Sequence, residues 1–202
     1  MGMFSRKDMI RLFGPLLVEQ LLAVLVGMAD VVMVAAVGET AVSGVALVDS
    51  ISVLVIQVLS AMATGGAVVC SQYIGKKKPD QACRAAGQLV LITAALSLLI
   101  AAVAFIGNRH LLRLIFGSVE TAVMDNAQTY FWFTAMSYPF LALYNSGAAL
   151  FRSMGNSKVS MKVSLAMNAI NVAGNALCVF GLHMGVEGVA IPTLVSRMFA
   201  AV

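Results

Sequence analysis

Oxygen-bearing side chains set into apolar sequence carry the chemistry of this chain. Asp30 lies inside LFGPLLVEQLLAVLVGMADVVMVAAV, residues 12–37, a run of 26 residues that is long enough to cross a bilayer. A central Asp costs about 2.5 to 3.5 kcal/mol of insertion against roughly 0.3 to 0.6 kcal/mol gained per Leu, Ile or Val, so the run still inserts. An acid kept at that cost reads as a functional group facing the protein interior or a wet cavity. In a later apolar run Ser164, Asn168, Asn171, Asn175 and Cys178 fall at offsets of 4, 7, 11 and 14, within about 60° of one another on a helical wheel. Asp30 stands seven residues from the end of its run, Asn175 five from Phe180, and Thr193 seven from Val186, which puts all three at one depth. Carboxylate, amide and hydroxyl oxygens are the hard ligands of a small cation such as sodium, and a desolvated Asp can instead take a proton. The residue types do not separate the two ions. The bland reading is that the amides only tie one helix to another, at about 0.6 kcal/mol per bond.

Two further residues of the first run bear on this site. Glu19 precedes Asp30 by 11 residues, which at about 100° per residue returns both to one face, with Ala23, Val26 and Gly27 between them. Glu19 and Asn168 are therefore expected to line the same cavity as Asp30. Pro15 removes a backbone donor one turn earlier and is the expected bend of this helix.

The elements that must hold these residues follow from composition. With 60% hydrophobic and 11% charged residues in 202, the chain is a polytopic membrane protein rather than a soluble domain. Six apolar segments, 12–37, 45–73, 85–106, 121–151, 159–180 and 186–202, predict an all-α bundle of six spans in the lipid bilayer. The N-terminal tail and the second and fourth loops carry ten basic residues, among them Arg6, Lys77 and Arg152, against only Arg109 and Arg113 on the other side. By the positive-inside rule the N-terminus is cytoplasmic. The first run is too long and acidic for a cleaved signal peptide and is read as a retained span. RHLLRLIFG, residues 109–117, is expected to lie in the outer interface as a connector.

Other chemistries find little support. The +4 net charge is scattered through short loops, which argues against a nucleic-acid partner. Cys70, Cys83 and Cys178 lack metal or redox spacing and read as packing residues, and His110 and His183 have no partners at ligand spacing. No HExxH, serine elbow, P-loop or dinucleotide fingerprint is found, so an enzyme is not expected, and no cofactor is expected beyond the coupling ion itself.

Six stretches in order, GMADVVMVA, GGAVVCSQYIGKKK, LLRLIFGSVETAVMDNAQTYF, FRSMGNSK, NAINVAGNALCVFG and GVEGVAIPTLVSR, resemble the multidrug and toxic compound extrusion (MATE) family from about residue 10 to the end. The resemblance implies two six-helix lobes around a central cavity, exporting organic cations and other amphiphiles in exchange for sodium or protons. This chain is similar to the first lobe only. By position it implies a coupling-cation site at Asp30, Asn171, Asn175 and Thr193, and Pro15 matches a proline at which the first helix bends. Where some members carry an aspartate, Asn175 is an amide, which leaves one carboxylate in the site.

The expected protein is thus the N-terminal lobe of a cation-coupled exporter of the bacterial plasma membrane, whose partners are small cationic or amphiphilic substrates and a missing C-terminal lobe. Because the last run stops at Val202 without a closing charge, a fragment is expected rather than a half-transporter completed by a second copy. The alternatives are a flippase for lipid-linked precursors, which needs a basic cavity whereas Arg197 is the one intramembrane cation, and a scaffold that transports nothing. With this topology, a cysteine at Lys77 should resist a membrane-impermeant maleimide added outside intact cells. Labelling there would invert the topology.

Overall fold

The computed structural model describes the backbone from Arg6 to Val202 and the side chains from Phe13 onward; the side chains of Arg6, Lys7 and Arg11 fall outside the described residues. The described residues form six helices: α1 (Arg6–Val37), α2 (Glu39–Gly75), α3 (Pro79–Phe116), α4 (Thr121–Ser153), α5 (Ser157–Ala176) and α6 (Glu187–Ala200). A π-helical turn, Leu177–Gly181, extends α5. Among the described residues, four helices are long and apolar enough to cross a membrane: α1 from Phe13, α2, α3, and α5 with its π turn. α4 is more polar, and α6, at 14 residues, reaches about 21 Å of the roughly 30 Å hydrocarbon core.

Helix boundaries differ from the sequence expectation in several places. Residues 109–116, expected as a separate connector, are the last turns of α3, because no residue there breaks the helix and its inner face is occupied. Leu112 is fully buried, and Asn108 donates to the Gln128 carbonyl of α4 at 3.0 Å. α2 begins six residues earlier than expected, since Gly38 alone separates it from α1. Its φ of 146° is open to glycine and strained for any side chain. Pro15 lies inside α1 without ending it.

Packing divides the bundle into two groups, α2 with α3 and α4, and α1 with α5 and α6, joined chiefly where α4 meets α6. One core runs through both, from Val34 of α1 and Val48 of α2 to Leu112 of α3, Phe131 of α4 and Val189 of α6. Leu17, Leu21 and Met28 of α1 and Leu91, Ile106 and Leu114 of α3 face outward, a surface that water would reject and lipid accepts. Between helices small residues and hydroxyls do the joining, as expected where apolar side chains gain nothing by leaving lipid. Ser52 and Tyr138 hydroxyls meet at 3.1 Å, and those of Thr93 and Ser146 at 2.8 Å.

The tightest approach is α2 on α4. A Cβ at Gly44 would stand 2.9 Å from both the Ala127 nitrogen and the Val123 oxygen, backbone atoms that cannot rotate away. Gly44→Val should therefore destabilise by about 1 to 3 kcal/mol, the usual cost of overpacking. Thermal unfolding in detergent should show the loss, whereas Gly65→Ala, whose Cβ meets nothing within 4 Å, should leave the midpoint unchanged or raised.

Candidate functional site

The polar stripe of α5 faces inward: Ser164, Asn171 and Asn175 are buried, while Leu165, Ala169, Ala173 and Leu177 on the opposite face are exposed. α6 can approach this stripe because Gly174 has no side chain; a Cβ there would lie 2.7 Å from Cβ of Pro192. That contact places Thr193 beside Asn171, whose Nδ2 donates to Thr193 Oγ1 at 3.0 Å. Thr193 in turn donates to the Val189 carbonyl at 2.8 Å. α1 docks on the other side, where Asn175 Nδ2 donates to Asp30 Oδ1 at 2.8 Å and, more weakly, to Asn171 Oδ1 at 3.4 Å. Asp30, Asn171, Asn175 and Thr193 thus form one connected chain across three helices.

The direction of these bonds decides what the site can bind. The Thr193 proton and both Asn175 amide protons are committed within the chain, and an Asn171 proton goes to Thr193. Asn175, with no exposed surface, keeps its Oδ1 without a donor among the described residues. A buried acceptor beside a carboxylate costs free energy unless something positive meets it. Oxygen donors of this kind fit a small hard cation. No group of three or more His, Cys, Asp or Glu side chains suited to a transition metal occurs among the described residues.

A cavity of about 390 Å³ opens next to this chain, walled by α1, α2, α4, α5 and α6. Asp30, Asn168, Asn171 and Thr193 line it, and Asn175 lies behind them. Asp49 of α2, Tyr130 of α4 and Arg197 of α6 line it too. Asp49 went unremarked in the sequence although it stands five residues into the second apolar run, where the reasoning applied to Asp30 would have flagged it. Arg197 was visible as an intramembrane charge but not as part of the site; its Nη1 donates to Ser137 Oγ of α4 at 2.6 Å. The cysteines fall elsewhere, and Cys83 is exposed near the start of α3 rather than packed.

With this geometry in hand, similarity to known proteins places the chain. The MatE family model matches residues 15–177. The chain belongs to the MatE family. Three curated relatives bear the names of transporters. The uncharacterized transporter YisQ of Bacillus subtilis (strain 168) is 29% identical over 199 residues, which are 96% of this chain and 43% of that protein. The probable multidrug resistance protein NorM of Thermotoga maritima is 27% identical over 203 residues, covering 97% and 43%. The multidrug export protein MepA of Staphylococcus haemolyticus is 23% identical over 195 residues, covering 96% and 43%. The chain therefore spans less than half the length of the curated relatives it matches. Among solved structures, an outward-facing multidrug resistance MATE family transporter of the MOP superfamily superposes with a TM-score of 0.90 at 19% identity, over 96% of this chain and 43% of that one. MATE in complex with MaD3S gives 0.91 at 19%, over 96% and 44%. At such identities the likeness is one of fold. MatE proteins are membrane transporters rather than enzymes, and this chain is a membrane protein with their helical architecture.

Glu19, the second acid of α1 in this MatE chain, does not join the cavity. It is held by other donors: the Tyr144 hydroxyl of α4 at 3.1 Å, Ser160 Oγ of α5 at 3.4 Å, and Arg152 Nη1 of α4 at 3.7 Å. It is the tie between α1 and the α4–α5 pair. Glu19→Ala would strand these donors and should cost about 1 to 3 kcal/mol, with Glu19→Gln costing less. Differential scanning fluorimetry of the two variants should rank them in that order.

Proposed function

We propose that this MatE chain is the N-terminal lobe of a two-lobed antiporter of the bacterial-type plasma membrane. The complete transporter exports small organic cations and amphiphiles in exchange for sodium or protons. The observation that carries this reading is the set of spent donors and free oxygens around Asn175 and Asp30, a cluster that attracts positive charge. Asp30 holds the coupling ion with Asn171, Asn175 and Thr193. Three of those ligands are neutral, so only Asp30 supplies the charge that offsets a desolvated sodium ion or accepts a proton.

Exchange follows from shared walls. Asp30, Asn171 and Thr193 belong both to the ion-binding chain and to the lining of the cavity, so a cationic cargo and the coupling ion compete for one negative charge. Binding of either one lowers affinity for the other, which is the coupling an antiporter needs. The names borne by NorM and MepA support a drug-like cargo by kinship. The missing partner is a second lobe, since the chain spans 43% of those relatives.

In the complete transporter, Asp30→Asn should abolish ion-coupled efflux, reducing ethidium export at least tenfold. Insertion should survive, because the change removes a charge costing about 2.5 to 3.5 kcal/mol at mid-bilayer and keeps nearly the same volume. Dye efflux and membrane abundance measured on the same cells check both parts. Wild-type efflux at normal abundance would return Asp30 to a structural role.

A further inference from the structure

We propose that Arg197 sets the charge capacity of the cavity, limiting it to one positive charge at a time. The inference rests on the cation-binding reading above. It starts from the ionisable groups of the cavity wall: two carboxylates, Asp30 and Asp49, and one guanidinium, Arg197. With both acids ionised, the wall carries a single net negative charge, which one monovalent cation neutralises. Sodium, a proton and a singly charged organic cation are then interchangeable in charge, and each exchange is one for one.

The position of Arg197 gives it this role rather than that of an ordinary structural ion pair. The single ion pair among the described residues joins Arg152 to Glu19, so neither cavity carboxylate neutralises Arg197 by direct contact. Its guanidinium is anchored from behind by Ser137, a fully buried side chain whose hydroxyl donates onward to the Thr134 carbonyl at 2.6 Å. Arg197 thus presents a fixed positive charge to whatever enters. An Arg cannot escape by losing its proton. A sphere of the cavity's volume is about 9 Å across, and two unit charges that far apart at an effective dielectric constant near 20 change a binding constant by on the order of twentyfold. A dication meets that repulsion twice, a monocation once, and the dication also leaves one positive charge uncompensated in a desolvated site after the wall is neutralised. Arg197 is therefore a specificity-determining residue, selecting cargo by charge number rather than by shape.

The test uses two probes of nearly one shape, 1-methyl-4-phenylpyridinium with one charge and methyl viologen with two. Their dissociation constants are measured by titration calorimetry on the full-length protein containing this chain, in lipid nanodiscs. The wild type should favour the monocation. Arg197→Gln, which removes the charge, should shift the ratio of affinities toward the dication by tenfold or more, and Arg197→Lys should hold the wild-type ratio. An unchanged ratio in Arg197→Gln would overturn the inference, as would an equal shift in Arg197→Lys, which would make the effect one of shape. If the wild type bound neither probe in an Asp30-dependent manner, the cation-binding reading would fall and take this inference with it.

Discussion

In hydrocarbon a polar group has no water to turn to, so each one must be met by another part of the protein. The hydrogen bond from Asn175 to Asp30 is where this constraint bears hardest, because it holds an ionisable side chain of α1 against α5. The neighbouring arrangement depends on it. Gly174 lets Pro192 close in, Pro192 brings Thr193 to Asn171, Asn171 donates to Thr193, and Asn175 donates both to Asn171 and to the carboxylate. A π turn begins two residues after Asn175, and such turns recur where a helix is adjusted around a functional residue.

Glu19 and Asp30 of α1 show how one constraint gives opposite outcomes. Glu19 receives a phenol, a hydroxyl and a guanidinium from two neighbouring helices, and its charge is spent on holding α1 in place. Asp30 receives one amide donor, and the nearest leftover group is another acceptor, Asn175 Oδ1. One acid has its demand met from within the fold; the other is met by a single amide. Counting donors against acceptors separates a tie from a site where residue type alone does not.

That difference explains what the sequence revealed. Helical periodicity gave the inward stripe of α5, and equal depth brought Asp30, Asn175 and Thr193 together, because both quantities are measured along single helices of known rise. The shared face of Glu19 and Asp30 was equally legible, but the cavity occupies only part of that face, and which neighbours cover the rest is a matter of packing between helices. Asp49 and Arg197 were missed as site residues for the same reason: nothing in the local pattern of α2 or α6 states that they open onto the space beside Asp30. The end of α3 was misjudged because Arg109 and Arg113 suggested an interface, whereas a buried Leu112 and the Asn108 bond to α4 hold the helix together through Phe116.

The single residue between α1 and α2 makes the first helix a lever. Its outer end is fastened to α2 through Gly38 alone, so α1 can pivot there but scarcely slide. Asp30 lies eight residues from that pivot, about 12 Å along the axis, and Glu19 nineteen residues, about 28 Å. Any tilt about Gly38 therefore carries Glu19 more than twice as far as it carries Asp30. A displacement at Asp30 too small to open a path there becomes, at the far arm, a gap wide enough to part a hydrogen bond.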